Sequence, residues 1–347
     1  MVMIRTLAPV FALALLSASA AAASFDCAKA STPFEKAICD NPDLSKADDR
    51  LAKTFATATG GLSPAALTLA RNDQRGWLDF ARRTCTDDAK PLTRGSYDED
   101  GAACLVATFN TRSTALESSR MLGGLRFFVQ SHYDVLPDPD EVGNPDSYWK
   151  LASHVVNYPQ LDGDDPLAAG FNAVVRASAA ELAPSLGEGG NKTDVDASAD
   201  STVTLAIKEV VGANRITLDT STYWYGHGAA HGNSSVGFLH YYVPEQRALE
   251  ASDVFAGKTW KKVLTDAAWD QLQAQHGEWL QVDDRSEIVE AVTDPTRWDL
   301  SNAYGLVIQF QPYEVAAYAY GAPTITVPWE TLEAIKADSQ DSVRYGW

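Results

Sequence analysis

Two histidines are the first candidates for chemistry, because His227 and His231 stand four residues apart. On a helix, that spacing places both imidazoles on one face, as in zinc metalloproteases. Here the pair lies in a glycine-rich stretch, no glutamate stands between the histidines, and the sequence offers no third ligand. We therefore expect His227 and His231 to shape a loop, with contact to a partner as the alternative, and we predict no metal ion and no cofactor.

Other catalytic signatures are missing from the sequence. It contains no Gly-x-Ser-x-Gly motif and no glycine-rich phosphate loop. The 46 acidic residues leave a catalytic carboxylate pair open, but no pair is distinguished by its spacing. The sequence thus favours a binding protein over an enzyme.

The first 23 residues have the character of a secretory signal peptide. Arg5 is the only charged residue before Asp26, an apolar run spans positions 7–16, and small residues follow as far as Ala23. The run is shorter than the roughly 20 residues that cross a bilayer. We expect cleavage near Ala23 and a periplasmic or secreted protein without a membrane span.

Four cysteines, Cys27, Cys39, Cys85 and Cys104, all precede residue 105. An even number in an exported chain predicts two disulfides. Since no Cys-x-x-Cys pair occurs, a metal site is disfavoured. The sequence leaves three connectivities open; we favour Cys27–Cys39 and Cys85–Cys104, because the members of each pair are nearest in sequence and flank a plausible turn.

Charge divides the chain. Residues 24–120 carry 13 basic and 14 acidic side chains, whereas residues 121–347 carry 14 and 32. The acidic excess of the second part repels nucleic acid and anionic membranes and attracts cationic partners. Simple solubility of an exported protein is the alternative explanation.

The first part is predicted to be helical. Thr32-Pro33-Phe34-Glu35 combines an N-cap, a helix-starting proline and a capping-box glutamate. Helical spacing then predicts a helix from Leu44 that Gly60-Gly61 ends, a third from Ser63 to about Cys85, and a fourth from about Ala102 to Leu122. A core this small is expected to need its disulfides.

The second part is predicted to be α+β with a mainly antiparallel sheet. Alternating stretches at 202–207, 215–218 and 305–310 predict strands. Residues 259–280 and 329–337 are predicted to be helical, and residues 137–147 and 187–201 to be surface loops. We expect three regions: a signal peptide (1–23), a helical domain with two disulfides (24–122) and an α+β domain (123–347).

The helical region resembles the N-terminal domain of the lysozyme inhibitor LprI family. The resemblance covers roughly residues 24–116 and rests on four segments: Phe25-Asp26-Cys27-Ala28-Lys29-Ala30, Glu35-Lys36-Ala37-Ile38-Cys39, Pro42-Asp43-Leu44-Ser45-Lys46-Ala47-Asp48 and Gln74-Arg75-Gly76-Trp77-Leu78. Arg82, Cys85, Cys104, Arg112 and Leu116 complete it. We expect Trp77 in the core, and ion pairs within the domain for Arg75, Arg82 and Arg112.

The second region resembles the extracellular domain of RsiV-type anti-sigma factors, which also occurs beside a peptidoglycan deacetylase domain. The resemblance covers about residues 154–335. It rests on Tyr158-Pro159-Gln160-Leu161, Phe171-Asn172, the stretch from Trp224 to Asn233, the stretch from Phe310 to Gly321, and Val327-Pro328-Trp329. The family's Gly-Gly-Ala-His-Gly pattern is widened here to His227-Gly228-Ala229-Ala230-His231-Gly232.

Together the two resemblances imply binding of lysozyme, which LprI-type proteins inhibit and RsiV-type domains sense. We therefore expect an exported protein that binds lysozyme or another cationic protein and protects the cell wall. A peptidoglycan- or carbohydrate-binding envelope protein is the alternative. The expected contact residues are Tyr225, His227, His231, Asn233, Tyr313, Glu314 and Tyr318.

Aromatic residues recur near these positions. Tyr and Trp anchor protein interfaces and also stack on sugars, but alternating aromatics in strands are equally compatible with core packing. The residues concerned are Tyr223, Trp224, Tyr225, Tyr241, Tyr242, Tyr313, Tyr318 and Tyr320.

Overall fold

The computed structural model describes residues 23–183 and 195–347, so the predicted signal peptide lies almost entirely outside the described residues. Four helices come first, and polar caps start each of them: α1 (Pro33–Asp40), α2 (Pro42–Thr59), α3 (Pro64–Thr84) and α4 (Glu99–Glu117). Thr32 and Glu35 form the predicted capping box. In the described part of the chain, no helix combines the length and apolar character that a bilayer-spanning segment needs.

The prediction for the fourth helix was wrong at both ends. Asp98 caps the helix and accepts from the Gly101 N–H, so the helix begins at Glu99. It ends at Glu117, and Arg120–Leu122 forms strand β1 instead. Gly123 and Gly124, both at positive φ, turn the chain directly into β2 (Leu125–Pro137), which pairs with β1.

Both disulfides have the favoured connectivity. Cys27–Cys39 ties the N-terminal segment to α1, and Cys85–Cys104 ties the end of α3 to α4. Closing loops of 12 and 19 residues removes about 3 kcal/mol of unfolded-state freedom each in the chain-entropy description. Trp77 is buried in this region as predicted, and Arg112 forms the predicted ion pair with Asp73. The predicted ion pairs of Arg75 and Arg82 do not occur among the described residues: Arg75 donates to Asn72, and Arg82 lies over the Phe34 ring.

A seven-stranded sheet in the order β1 to β7 forms the centre of the molecule. Every neighbouring pair is antiparallel except β3 and β4, as expected for a mainly antiparallel α+β fold. The parallel pair requires a crossover, and α5 lies within it. The remaining elements are β3 (Leu151–Leu161), α5 (Pro166–Leu182), β4 (Ala199–Val211), β5 (Arg215–Gly226), β6 (Asn233–Tyr242) and β7 (Arg247–Ala248).

The region of β4 and β5 confirms two predicted strands and corrects one predicted loop. The stretches at 202–207 and 215–218 lie within β4 and β5. The predicted loop at 187–201 was too long, because Ala199–Ser201 already pairs with β5. Residues 187–194 of that loop lie outside the described residues.

The two faces of the sheet are covered differently. Helix α5 packs on one face, where Phe171 meets Phe127 and Tyr241. On the other face, α3 and α4 cover β2 and β3, and Phe80 contacts Tyr133 at a centroid distance of 5.0 Å. Because side chains alternate along a strand, every second residue of β4 and β5 points to this second face.

A C-terminal lobe, residues 251–347, covers β6 on that second face. Its small sheet has the order β10-β9-β8, with β8 (Trp298–Asp299), β9 (Gly305–Gln309) and β10 (Thr324–Pro328). Around it lie α6 (Trp260–His276), α7 (Val289–Thr293), α8 (Trp329–Leu332) and α9 (Gln340–Tyr345). The predicted strand at 305 is confirmed, and the predicted helices at 259 and 329 form but end early, at His276 and Leu332.

A buried polar chain joins the lobe to the large sheet. The Arg215 guanidinium donates to Glu209, to Thr217 and to the Val343 carbonyl of α9. Thr217 donates to His240 Nδ1 over 3.0 Å, and His240 Nε2 donates to the Trp298 carbonyl over 2.8 Å. Arg215 and His240 are both buried.

His240 is held neutral by this environment. Burial, together with the nearby Arg215 charge, lowers its pKa from 6.5 to about 3. Between pH 6.5 and pH 3, His240 is protonated in the unfolded chain but neutral in the folded chain. The contribution of His240 to the free energy of unfolding is therefore fully present above pH 6.5 and is lost as the pH falls towards 3.

We predict that His240→Gln flattens the acid dependence of stability. Because of His240, the free energy of unfolding of the wild type should fall by about 2 kcal/mol when the pH is lowered from 7 to 5. The variant should not show this decrease. Urea unfolding followed by circular dichroism at the two pH values measures the difference. His276→Gln, at a more accessible histidine, is the matched control; equal pH dependence in all three proteins would contradict the prediction.

Candidate functional site

The connection between β5 and β6, residues 227–232, is the hairpin tip. Its first residue, His227, points inward: Nδ1 lies 2.5 Å from Asp138 Oδ2, and the two side chains are 4% and 2% exposed. Burial raises the pKa of Asp138, but hydrogen bonds from His227 and from the Asp140 N–H outweigh it, so the pKa lies below its ordinary value. His227 therefore fastens the tip to the loop that follows β2, in agreement with the expected loop role.

The second histidine points outward. His231 is exposed and stacks on Tyr318, with ring centroids 4.4 Å apart and an interplanar angle of 19°. Tyr313 Oη lies 3.5 Å from His231 Nε2. Tyr318 Oη donates to the Gly232 carbonyl over 2.9 Å. The structure thus brings His231, Tyr313 and Tyr318 together and separates His227 from them.

The two histidines do not converge on a common point. Across residues 23–183 and 195–347, no three His, Cys, Asp or Glu side chains are grouped so that they could hold a metal ion. His227 Nε2 is buried without a hydrogen-bond partner, at 3.7 Å from Asp200 Oδ2.

Tyr313 has an unusual backbone. Its φ is +67°, and the turn closes through the Glu314 N–H and the Gln311 carbonyl at 3.1 Å. Pro312 precedes it, so the turn follows the type II pattern, whose third residue is usually glycine. A tyrosine there costs conformational energy, and its side chain is nevertheless 57% exposed. Strain at an exposed aromatic is a reason to look for function.

Neighbouring side chains hold this strained turn in place. Glu314 accepts from the Gln311 N–H over 2.6 Å and pairs with Arg297 at 3.3 Å. The side-chain amide of Gln311 accepts from the Val236 N–H and donates to the Val236 carbonyl on β6. It thus forms the two hydrogen bonds that the backbone of a neighbouring strand would form. Glu314, one of the expected contact residues, is thus occupied within the fold.

Two further expected residues lie at the tip. Tyr225 is half-buried and donates to the Ala229 carbonyl over 3.1 Å, so it braces the tip. Asn233 is exposed and opens β6 opposite Trp224.

The aromatic residues divide between the core and the surface. Tyr241 and Tyr242 are buried, as the packing interpretation expects. Tyr223 and Tyr320 are 46% and 50% exposed. Tyr223 lies over Gly232, where an added Cβ would stand only 2.5 Å from its ring, so it adjoins the Tyr318 contact. Trp224 points to the opposite face of the sheet, because it is the next residue along β5.

Trp279 was missed because the predicted helix extended through it. The α-helix ends at His276, and a short 3-10 turn over Gly277–Trp279 places the indole on Tyr320, with centroids 4.1 Å apart and an angle of 7°. Gly277 was the available signal for that helix end. The aromatic surface therefore comprises Tyr223, His231, Trp279, Tyr313, Tyr318 and Tyr320.

Acidic side chains lie close to Trp279 in the sequence. Glu278 is exposed beside Trp279. Leu280 bridges Ala316 in antiparallel fashion, and the Gln281 N–H donates to the Val315 carbonyl. The exposed Asp283 and Asp284 follow Gln281 in the chain and bond Glu287 and Ser286. Hydrogen bonds from Ser286 lower the pKa of Asp284, which keeps it charged at neutral pH.

Part of this surface lies in a segment that matches a known sequence family. Residues 252–330 match the family described as "Protein of unknown function (DUF3298)". The match includes Trp279 and the segment from Tyr313 to Tyr320, but it includes neither the hairpin tip nor helices α1–α4. It lies inside the region that resembles RsiV-type domains; the RsiV and LprI resemblances themselves stay predictions.

Two solved structures of DUF3298 family members are similar to the chain. The one from Bacteroides fragilis NCTC 9343 is 18% identical with a TM-score of 0.45, and the alignment covers 65% of this chain and 98% of that one. The one from Pseudomonas aeruginosa PAO1 is 14% identical with a TM-score of 0.43, covering 64% and 98%. No curated protein matches the chain.

We predict that glycine at position 313 is more stable than alanine. Both Tyr313→Gly and Tyr313→Ala remove the ring, but only glycine adopts positive φ without a Cβ penalty. The free energy of unfolding of Tyr313→Gly should therefore be about 1 kcal/mol higher than that of Tyr313→Ala. At positions with negative φ the order is the reverse. Urea unfolding of both variants measures the difference, and a more stable alanine variant would show that the turn is unstrained.

Proposed function

We propose that this chain is an exported binding protein that captures a cationic protein through the aromatic surface, and that lysozyme is that partner. The observation that carries the proposal is the contact of the exposed His231 and Tyr313 with the half-buried Tyr318, together with the strained backbone of Tyr313. Rigid Tyr side chains supply large contact area at small cost in conformational entropy, and such residues dominate binding energy at interfaces.

Charge supports a cationic partner. The chain has a net charge of −18, and its acidic excess lies after residue 120. The exposed Glu278 adjoins Trp279 of the aromatic surface, so attraction would act where the aromatic contacts form. Such complementarity raises the rate of association more than it raises affinity. The choice of lysozyme rests on the LprI and RsiV resemblances.

The proposed mechanism is steric occlusion. The hairpin tip is pinned by His227 and Asp138, and the Tyr313 turn is pinned by Gln311 and Arg297. Two fixed projections of this kind can cover the cleft of an enzyme without rearranging, so inhibition needs no catalytic group and no cofactor in the inhibitor. Two disulfides suit a protein that acts outside the cytoplasm.

We predict that the oxidised chain, from Ser24 onwards, binds hen egg-white lysozyme and reduces its muramidase activity. Tyr313→Gly should weaken binding at least tenfold, because a central aromatic contact is worth about 2 kcal/mol or more. Higher salt should slow association. Calorimetry and a cell-wall lysis assay, run in parallel at two salt concentrations, measure both effects.

Tyr304→Gly is the matched control, since Tyr304 is 87% exposed and lies outside the aromatic surface. It should keep wild-type affinity. Binding without loss of muramidase activity would support the partner and reject occlusion. An absence of binding would reject lysozyme as the partner.

Wall glycan is the alternative ligand of the same surface. The parallel stack of Trp279 on Tyr320 offers a flat aromatic face of the kind that sugars contact. Purified sacculi, tested without lysozyme, discriminate between the two: sedimentation of the wild type with sacculi, lost on Trp279→Ala, would favour the glycan.

A further inference from the structure

A pocket separate from the aromatic surface lies between the helices and the sheet. It has a volume of about 240 Å³, opens to solvent, and is lined by α3 and α4 on one side and by β2 and β3 on the other. Trp77, Phe80, Tyr133 and Val155 form its apolar wall. A cavity of about 150 Å³ holds benzene, so this one has room for a single ring with a small substituent.

The charged group in the wall is already neutralised. Arg112, the one charged side chain among the described residues that line the pocket, donates to Asp73 over 2.5 Å and to Gln74, Ser131 and Tyr133. Burial raises the pKa of the Tyr133 hydroxyl, which therefore stays protonated. A pocket lined in this way has no free charge to offer an ionic ligand.

Unused hydrogen-bonding groups line both sides of the pocket: Asn157 and Ser153 lie on β3, and Thr111 lies on α4. Asn157 Oδ1 accepts from Ser131 Oγ over 2.7 Å, and this fixes the amide so that Nδ2 carries the donors. Within residues 23–183 and 195–347, Asn157 Nδ2 and the hydroxyls of Thr111 and Ser153 have no hydrogen-bond partner. They provide a donor of fixed orientation and two groups that can donate or accept.

We propose that this pocket binds a small neutral amide with an apolar or ring-shaped body. The body would lie against Trp77, Phe80 and Tyr133, the amide carbonyl would accept from Asn157, and the amide N–H would donate to a threonine or serine hydroxyl. Such chemistry occurs both in aromatic amides and in acetamido sugars. The inference does not rest on the proposed function, because the pocket borders β3 and the aromatic surface borders β5 and β6.

Binding of acetanilide and of N-acetylglucosamine to the full oxidised chain tests the proposal, with benzoate as the charged comparison. Calorimetry and thermal unfolding should show saturable binding of at least one of the two amides and at least tenfold weaker binding of benzoate. Acetanilide alone would identify aromatic amides as the ligand class, and N-acetylglucosamine alone would identify acetamido sugars. Binding of neither amide, or equal binding of benzoate, would overturn the proposal.

A pair of variants on α4 locates the binding. Ala107→Leu adds three carbons at an exposed position that lines the pocket and should weaken amide binding at least tenfold. Ala103→Leu, an exposed position one turn earlier that does not line the pocket, should leave it unchanged. Both variants should keep the wild-type circular dichroism. Undiminished amide binding to a folded Ala107→Leu variant would overturn the assignment of the pocket.

Discussion

The buried chain from Arg215 through Thr217 and His240 to the Trp298 carbonyl is the interaction on which the arrangement of this molecule depends. Removing a guanidinium from water is expensive, and Glu209 and the Val343 carbonyl offset part of this cost by accepting from Arg215, while its Nη2 has no hydrogen-bond partner within the described residues. Thr217 and His240 each accept from one neighbour and donate to the next, which requires a neutral His240. The chain therefore fixes the position of the lobe on the sheet, where apolar packing alone would tolerate sliding.

That fixed position decides the geometry of the aromatic surface, whose members come from both sides of the junction. His231 belongs to the large sheet, whereas Tyr313 and Tyr318 belong to the lobe. Gln311 completes the junction by taking the place of a strand beside Val236. These contacts hold the turn in one conformation. Tyr313 therefore keeps its unfavourable positive φ, which it would not adopt in a flexible loop.

Local patterns in the sequence predicted much of this fold, and long-range pairings account for what they missed. Capping residues such as Thr32 and Glu35 act within a few positions, so the starts of α1 and α3 were predicted, although the start of α4 after Asp98 was not. The sequence did not predict that His227 points inward and His231 outward, since the partner of His227 is Asp138, 89 residues away. Likewise, alternation in β5 and β6 placed tyrosines on both faces, but only the covering elements decide that Tyr241 is buried and Tyr223 exposed.

The covering elements also explain why two candidate sites share one face of the sheet. Helices α3 and α4 are held over β2 and β3 by the Arg112 network, and the lobe is held over β6 by the Arg215 chain. Between them, Thr202 of β4 and Ser221 of β5 stay exposed, so the pocket and the aromatic surface adjoin the same open strip. Neighbouring strands are about 4.8 Å apart, so the two strands from Val155 to Tyr223 span roughly 10 Å. A macromolecule seated on the aromatic surface would thus reach the mouth of the pocket, whereas a small amide in the pocket would leave the aromatic surface free.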